Sequence, residues 1–224
     1  MKPTQTRQPL SRDRILRAAL AIVDREGLDS ISMRRIGEEL GVEAMSLYNH
    51  VENKAAMLDG VFELVLAEQP RPKKASGAWK TTLRDRACAF RAVLRAHPNA
   101  LPLFAMRPAV TPASIAHVEG ALEVLRRAGF PIDDAISAMQ VLSAYVVGHT
   151  VAAFSPRKPD EESSPSYERL DEASFPRVVE AARALAAHDL EQEFELGLDA
   201  LLDGLDARLA RLAEKKANRR GRRV

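Results

Sequence analysis

Residues Ser32–Lys54 read SMRRIGEELGVEAMSLYNHVENK, and this stretch decides the fold. Ser32 is placed to cap a helix, because its hydroxyl can accept a backbone N–H of the first turn. Ile36 and Leu40 fall four apart on one face, while Arg34, Arg35, Glu38 and Glu39 point to water. Gly41 ends that helix, since glycine enters the left-handed conformation without steric cost. A second helical segment starts at Ala44 and runs through Ser46, Leu47, Tyr48, Asn49 and His50. Two short helices around a tight glycine turn form a helix-turn-helix, whose second helix can lie in a DNA major groove. The same pattern also fits a plain helical hairpin with a solvated polar face.

Working outward, residues 1–10 are polar with two prolines and read as a flexible arm. Ser11 caps a helix in which Ile15, Ala19, Ile22 and Val23 repeat at helical spacing, and Gly27 ends it. Leu28, Ile31 and Met33 then pack with Ile36, Leu40, Val42 and Leu47 to close a three-helix core. Asn53 caps a further helix with Met57, Leu58, Val61, Phe62, Leu64 and Val65 on its apolar face, stopping before Pro70. Beyond it, residues 79–97, 112–128, 132–154 and 190–214 carry apolar residues at three- and four-residue intervals, and a short helix is expected around Leu101–Met106. Residues 155–172, rich in Pro, Ser and charge, read as a loop. The pattern is all-α throughout. Four boundaries follow: an arm over 1–10, a DNA-binding unit with connecting helix over 11–68, a larger helical domain over 74–214, and a disordered basic tail over 215–224.

The string GVEAMSLYNHVENK resembles the signature of the TetR family of transcriptional regulators, and AFRAVLRAHPNA, MRP, ALEVLRRAGFPIDDAISAMQVLSAYVVGH and FELGLDALLDGLDARL are similar to its tetracycline-repressor-like C-terminal class. The resemblance implies a ligand-responsive regulator, a repressor released from a palindromic operator by a small molecule. An activator of the same fold and a helical adaptor for a protein partner are the alternatives. It also implies DNA-facing roles for Ser32, Met33, Arg34, Ala44, Met45, Ser46, Tyr48, Asn49, His50 and Lys54. Arg34 is the family's guanine-reading position, and an Arg fork suits guanine O6 and N7. Tyr48, His50 and Lys54 suit phosphates, which fix register rather than read sequence. Asn49 suits either.

One helix-turn-helix makes few base contacts, so a homodimer on double-stranded DNA is expected. Candidate interface helices are 132–154, with Val141, Leu142, Val146, Val147 and Val151, and 190–214, whose Leu190, Phe194, Leu198, Leu201, Leu205, Leu209 and Leu212 form a near-heptad seam. For an unidentified small-molecule effector the candidates are Arg107, His117, Gln140, Tyr145 and His149, walled by Phe90, Phe104, Met106 and Met139. A few polar groups in an apolar cleft is the usual composition of such a site, although each of them alone also fits a core or surface residue. His97, before Pro98 at a helix end, reads as a C-terminal cap.

Bulk properties narrow the alternatives. With 46% apolar and 29% charged residues, the 224-residue chain is that of an ordinary globular protein. No basic-then-apolar leader opens it and no uninterrupted apolar run reaches bilayer length, so a cytoplasmic location without membrane attachment is expected. The single cysteine, Cys88, excludes an intrachain disulfide and a Cys-cluster zinc site. No P-loop, dinucleotide glycine turn, Gly-x-Ser-x-Gly elbow or HExxH helix is present, which argues against an enzyme. Neither cofactor nor metal is expected. Tetracycline repressors coordinate drug-bound magnesium through a His beside the short mid-domain helix and an acid after the long interface helix. Leu103 and Ala152 stand about there in this chain. Titration calorimetry with magnesium–tetracycline should therefore detect no low-micromolar binding.

Overall fold

Ser11 accepts the amide of Arg14 at 3.3 Å and opens α1 (Arg12–Glu26), which Gly27 ends at φ 85°. Ser32 does the same for Arg35 at 3.1 Å and opens α2 (Met33–Leu40), closed by Gly41 in the left-handed conformation at φ 65°, ψ 38°. α3 (Ala44–Leu47) follows, then α4 (Lys54–Ala67), capped by the Asn53 carbonyl group on Ala56 N–H at 2.9 Å. The larger domain comprises α5 (Trp79–Ala96), α6 (Leu101–Met106), α7 (Pro112–Ala128), α8 (Ile132–Phe154), α9 (Pro176–Leu185) and α10 (Leu190–Gly221). This is a computed structural model describing residues 9–70, 78–155, 170–185 and 188–221, and among them all helices and no strands are found.

Three expectations change. The second helix of the motif is shorter than expected: α3 closes at Leu47 and residues 48–50 form a turn. That turn lets Val51 enter the core beside Leu47, at 3% and 0% exposure. The basic segment does not begin a disordered tail, because α10 continues through it to Gly221; Ala, Glu and Lys over 213–217 are good helix formers. α9 was not foreseen. The expected arm over 1–8, most of the expected loop (156–169) and residues 222–224 lie outside the described residues, while Leu10, at the arm's end, already packs on the core.

Helix α4 joins the two halves. Met57, Gly60, Val61, Phe62, Val65 and Leu66 are all buried, so the helix is covered on more than one face. Gly60 lies under the Leu16 side chain of α1, where a Cβ would come within 2.5 Å of it. On another face, Phe62 stacks on Phe104 of α6 with ring centroids 4.5 Å apart. Behind this, α5 and α10 run side by side and are tied by Lys80–Asp203 (2.6 Å), Arg84–Asp199, Arg91–Glu191 (2.5 Å) and Arg95–Glu191 (2.5 Å). Arg91 is buried and lies 4.2 Å over the Phe194 ring, so its charge is held by a carboxylate and an aromatic face together. α8 has a mean hydropathy of 1.3 over an 18-residue window, long and apolar enough by composition to cross a bilayer. Its buried Ala135, Ala138, Leu142, Val146 and Thr150 belong to the helical core, with α5, α6, α7 and α10 packed around it.

Within the head, charges weld α1 to α2. Arg35 takes Glu26 with both Nε (3.1 Å) and Nη2 (2.6 Å), and Glu39 accepts from Arg35 (3.0 Å) and Arg25 (2.9 Å). Arg35 and Glu39, expected to point to water, are thus half-buried partners. His97, expected as a helix cap, occupies the position after α5 but its ring does other work. Nδ1 faces Asp24 of α1 at 2.9 Å and Nε2 faces Glu68 after α4 at 3.1 Å. Asn99 donates to the Asp24 carbonyl at 2.8 Å. Burial alone would depress the His97 pKa, but the hydrogen bonds from Asp24 and Glu68 outweigh it and hold the ring above the ordinary 6.5.

Two expectations can be measured. Gly37 sits in α2 where a Cβ would lie 2.8 Å from the Val42 carbonyl oxygen and 3.2 Å from Ala44 N. Gly37→Ala should lower the melting temperature despite a helix-propensity gain of about 1 kcal/mol, because the backbone of the turn cannot give way. For His97, a raised folded-state pKa stabilises fully below 6.5 and fades as pH rises through the folded value. The melting-temperature deficit of His97→Gln should accordingly be largest in acid and shrink toward alkaline pH.

Candidate nucleic-acid interface and interhelical cavity

The head presents one surface of unpaired polar groups. Leu47 is fully buried and pins α3 to the core, which turns its neighbours outward. Met45 is 73% exposed and Tyr48 46%. Tyr48, Asn49, His50 and Lys54 are exposed, and their side chains enter no hydrogen bond or ion pair among the described residues. Arg34 is exposed too, held at 3.0 Å by Glu38 one turn on; such a pair is worth little in water and exchanges readily for a better acceptor. The Ser46 hydroxyl donates to the Glu43 carbonyl at 2.7 Å, and the Ser32 hydroxyl accepts from Arg35. Ala44 is half-buried against α2. One expected contact is corrected. Met33 is only 8% exposed and its side chain belongs to the core, so it cannot reach a groove. Position N1 of α2 faces inward there, because Met33, Ile36 and Gly37 share the buried side.

Inside the larger domain, α4, α5, α6, α7 and α8 surround a cavity of about 320 Å³. Phe62, Phe90 and Phe104 wall one part, the Phe90 ring standing edge-on to Phe104 at 5.9 Å. Arg86, Arg107 and His117 supply its cationic and imidazole groups, and Met139, Leu142 and Val146 line the α8 side. Of the expected ligand residues, Phe90, Phe104, Arg107, His117 and Met139 therefore meet in one place. Four do not. Met106 is 71% exposed and points to solvent, and Gln140 is also exposed. Tyr145 and His149 face α10: the Tyr145 hydroxyl donates to the Phe194 carbonyl at 2.9 Å, and both rings pack on Phe194. On a helix, Met139, Leu142, Ser143 and Val146 share a stripe that excludes residues 145 and 149.

Electrostatics differ sharply between the two arginines of the cavity. Arg107 reaches Asp59 of α4 with Nε (2.9 Å) and Nη2 (2.5 Å), and donates to the Ala55 carbonyl at 3.3 Å. It ties the loop after α6 to the first turns of the connecting helix. Among the described residues Arg86, which sequence reasoning passed over, donates only to the His117 carbonyl, at 2.8 Å. Its pKa is lowered by burial, and that of His117 is lowered by burial and by the Arg86 charge. The available signal was a lone cation in register with Leu83, Ala87 and Phe90 on an otherwise apolar helix face.

Residues 15–61 match the profile of bacterial regulatory proteins of the tetR family, and residues 71–209 match the tetracyclin repressor-like C-terminal domain. An HTH-type transcriptional regulator of Saccharopolyspora erythraea is 31% identical over 210 residues, spanning 92% of this chain and 89% of that protein. The HTH-type transcriptional repressor DrrR1 of Streptomyces coeruleorubidus is 29% identical, spanning 93% and 82%. Among solved structures, the TetR family protein ActR of Streptomyces coelicolor in complex with actinorhodin superposes with a TM-score of 0.78 at 32% identity, covering 90% of this chain and 99% of that one. With both of its halves matched in order, the chain belongs to the TetR family of transcriptional regulators.

Proposed function

We propose that this regulator is a homodimeric repressor that leaves a palindromic operator when a small molecule fills the cavity. The observation that carries this reading is the position of α4. Its Phe62 and Leu66, with Gln69 just after its end, form part of the cavity wall, and its Gly60 lies against α1 of the head. A ligand that displaces Phe62 or Phe104, or that competes for Arg107, acts on the helix that carries the head. Any loss of operator affinity then equals the preference of the ligand for the displaced state, a coupling of typically about 1–3 kcal/mol. The repressor name of the Streptomyces relative and the ligand-bound state of ActR support the same reading.

The dimer face is assigned to the two helices expected from sequence, but largely to other stripes of them, with Val141 shared. Leu142 and Val146 of α8, and Leu198 and Leu202 of α10, are consumed by the chain's own core, with Leu201, Leu205 and Leu209 half-covered. What stays exposed is Val141, Ala144, Gly148 and Ala152 on α8, and Leu196, Ala200, Gly204 and Ala207 on α10. Gly148 and Gly204 meet nothing within 4 Å of an added Cβ. Small residues at helical spacing on two neighbouring helices suit close helix packing with a second copy.

The head supplies the DNA contacts through Arg34, Met45, Ser46, Tyr48, Asn49, His50 and Lys54, with Ser32 and Ala44 at the margin. Selection of bound sites from random duplexes should return two inverted half-sites. Recovery of single, unpaired sites would overturn the dimeric reading. On the selected site, Lys54→Ala should weaken binding evenly across sequences and flatten its salt dependence, whereas Arg34→Ala should relax preference at one base pair per half-site by about 1–3 kcal/mol.

A further inference from the structure

We propose that the cavity is built for an aromatic anion, whose carboxylate or equivalent oxyanion pairs with the Arg86 guanidinium. The inference takes the effector site from the reading above and adds the chemistry of its occupant.

Lining and charge point the same way. Phe62, Phe90 and Phe104 and several aliphatic side chains line the cavity, so an aromatic ligand body meets ring and aliphatic surface. A volume of about 320 Å³ lies at the small end of ligand sites. Among the described residues no Asp or Glu lines the cavity. Arg107 has already spent its charge on Asp59. Arg86 has no carboxylate partner among the described residues, and one backbone carbonyl is its sole hydrogen-bond acceptor there. A guanidinium cannot shed its proton, so Arg86 stands half-buried in the cavity wall as a charge without a carboxylate beside it.

That imbalance sets the sign of selectivity. An anion placed against Arg86 brings the missing counter-charge into a site of low polarity, where charge-assisted hydrogen bonds are strongest. A neutral ring of the same shape covers the guanidinium without compensating it, which costs desolvation. A cationic ring adds repulsion. His117 reports on the event, because its pKa is held down in part by Arg86. A bound anion relieves that pressure, so binding should draw a proton onto the protein below the ordinary imidazole value of 6.5.

The test uses the full-length protein and three probes of one shape: anthracene-2-carboxylate, anthracene-2-carboxamide and 2-(aminomethyl)anthracene. Calorimetry should rank the carboxylate at least about tenfold tighter than the carboxamide, with the amine weakest. Arg86→Gln should erase the preference and Arg86→Lys keep part of it, each judged on protein that melts cooperatively. If Arg86→Gln does not fold, the ranking by the wild type and the proton uptake measured in buffers of different ionisation enthalpy decide. Equal affinity for carboxylate and carboxamide, no binding of any probe, or an unchanged carboxylate affinity in folded Arg86→Gln would overturn the proposal. Tight, Arg86-dependent carboxylate binding that leaves operator retention untouched would uphold it and instead remove the repressor-release reading.

Discussion

The rest of the structure depends on one helix having no free side. α4 lies beneath Leu16 of α1 at Gly60, stacks Phe62 on Phe104, and is held at Asp59 by Arg107 and at Glu68 by His97. Close-packed interiors pass on displacement instead of absorbing it, since even one methylene of volume change is felt. Had α4 been amphipathic in the ordinary way, with one wet face, the head and the cavity would have been independent bodies on a shared chain. Packing on both sides makes them one mechanical unit.

Charge is organised into two populations. Arg25, Arg35, Lys80, Arg84, Arg91 and Arg95 are each matched to a carboxylate of another helix. They fix the relative positions of helices whose sequence separation reaches 123 residues in the Lys80–Asp203 pair. Lys54 and His50 on the head, and Arg86 in the cavity, lack carboxylate partners among the described residues. Pairing neutralises a side chain's pull on anything outside the protein. Under the proposed function, Lys54 and His50 face phosphate-rich DNA and Arg86 faces an effector. A net charge of only +2 conceals this division, because it averages over both populations.

Local chemistry was legible without coordinates wherever a single residue decides a single backbone event. Ser11, Ser32 and Asn53 cap the helices assigned to them, and Gly27 and Gly41 turn the chain as their freedom at positive φ allows. The apolar repeat gave the core of the head almost residue for residue. What could not be read was the partner of each face. Tyr145 and Met139 both sit on α8 among apolar neighbours, yet one packs on Phe194 and the other lines the cavity. The leucines of α10 form a seam in sequence whether they meet their own domain or a second copy. α9 escaped notice because one short helix between a Pro- and Ser-rich stretch and α10 buries only Val179, leaving a weak periodic signal.

The amino-acid sequence by itself determined the helical register, the caps, the turn between α2 and α3, and the family to which these belong. Each rests on interactions spanning three or four residues, and such interactions are written in adjacent letters. Only the tertiary structure decided between the core and groove readings of Met33, that His97 bridges Asp24 and Glu68, that Arg107 has a carboxylate partner while Arg86 has none among the described residues, and which stripes of α8 and α10 stay uncovered. These are long-range facts. They depend on which of several chemically suitable partners the packed helices bring within about 3 Å, and no local pattern encodes that choice.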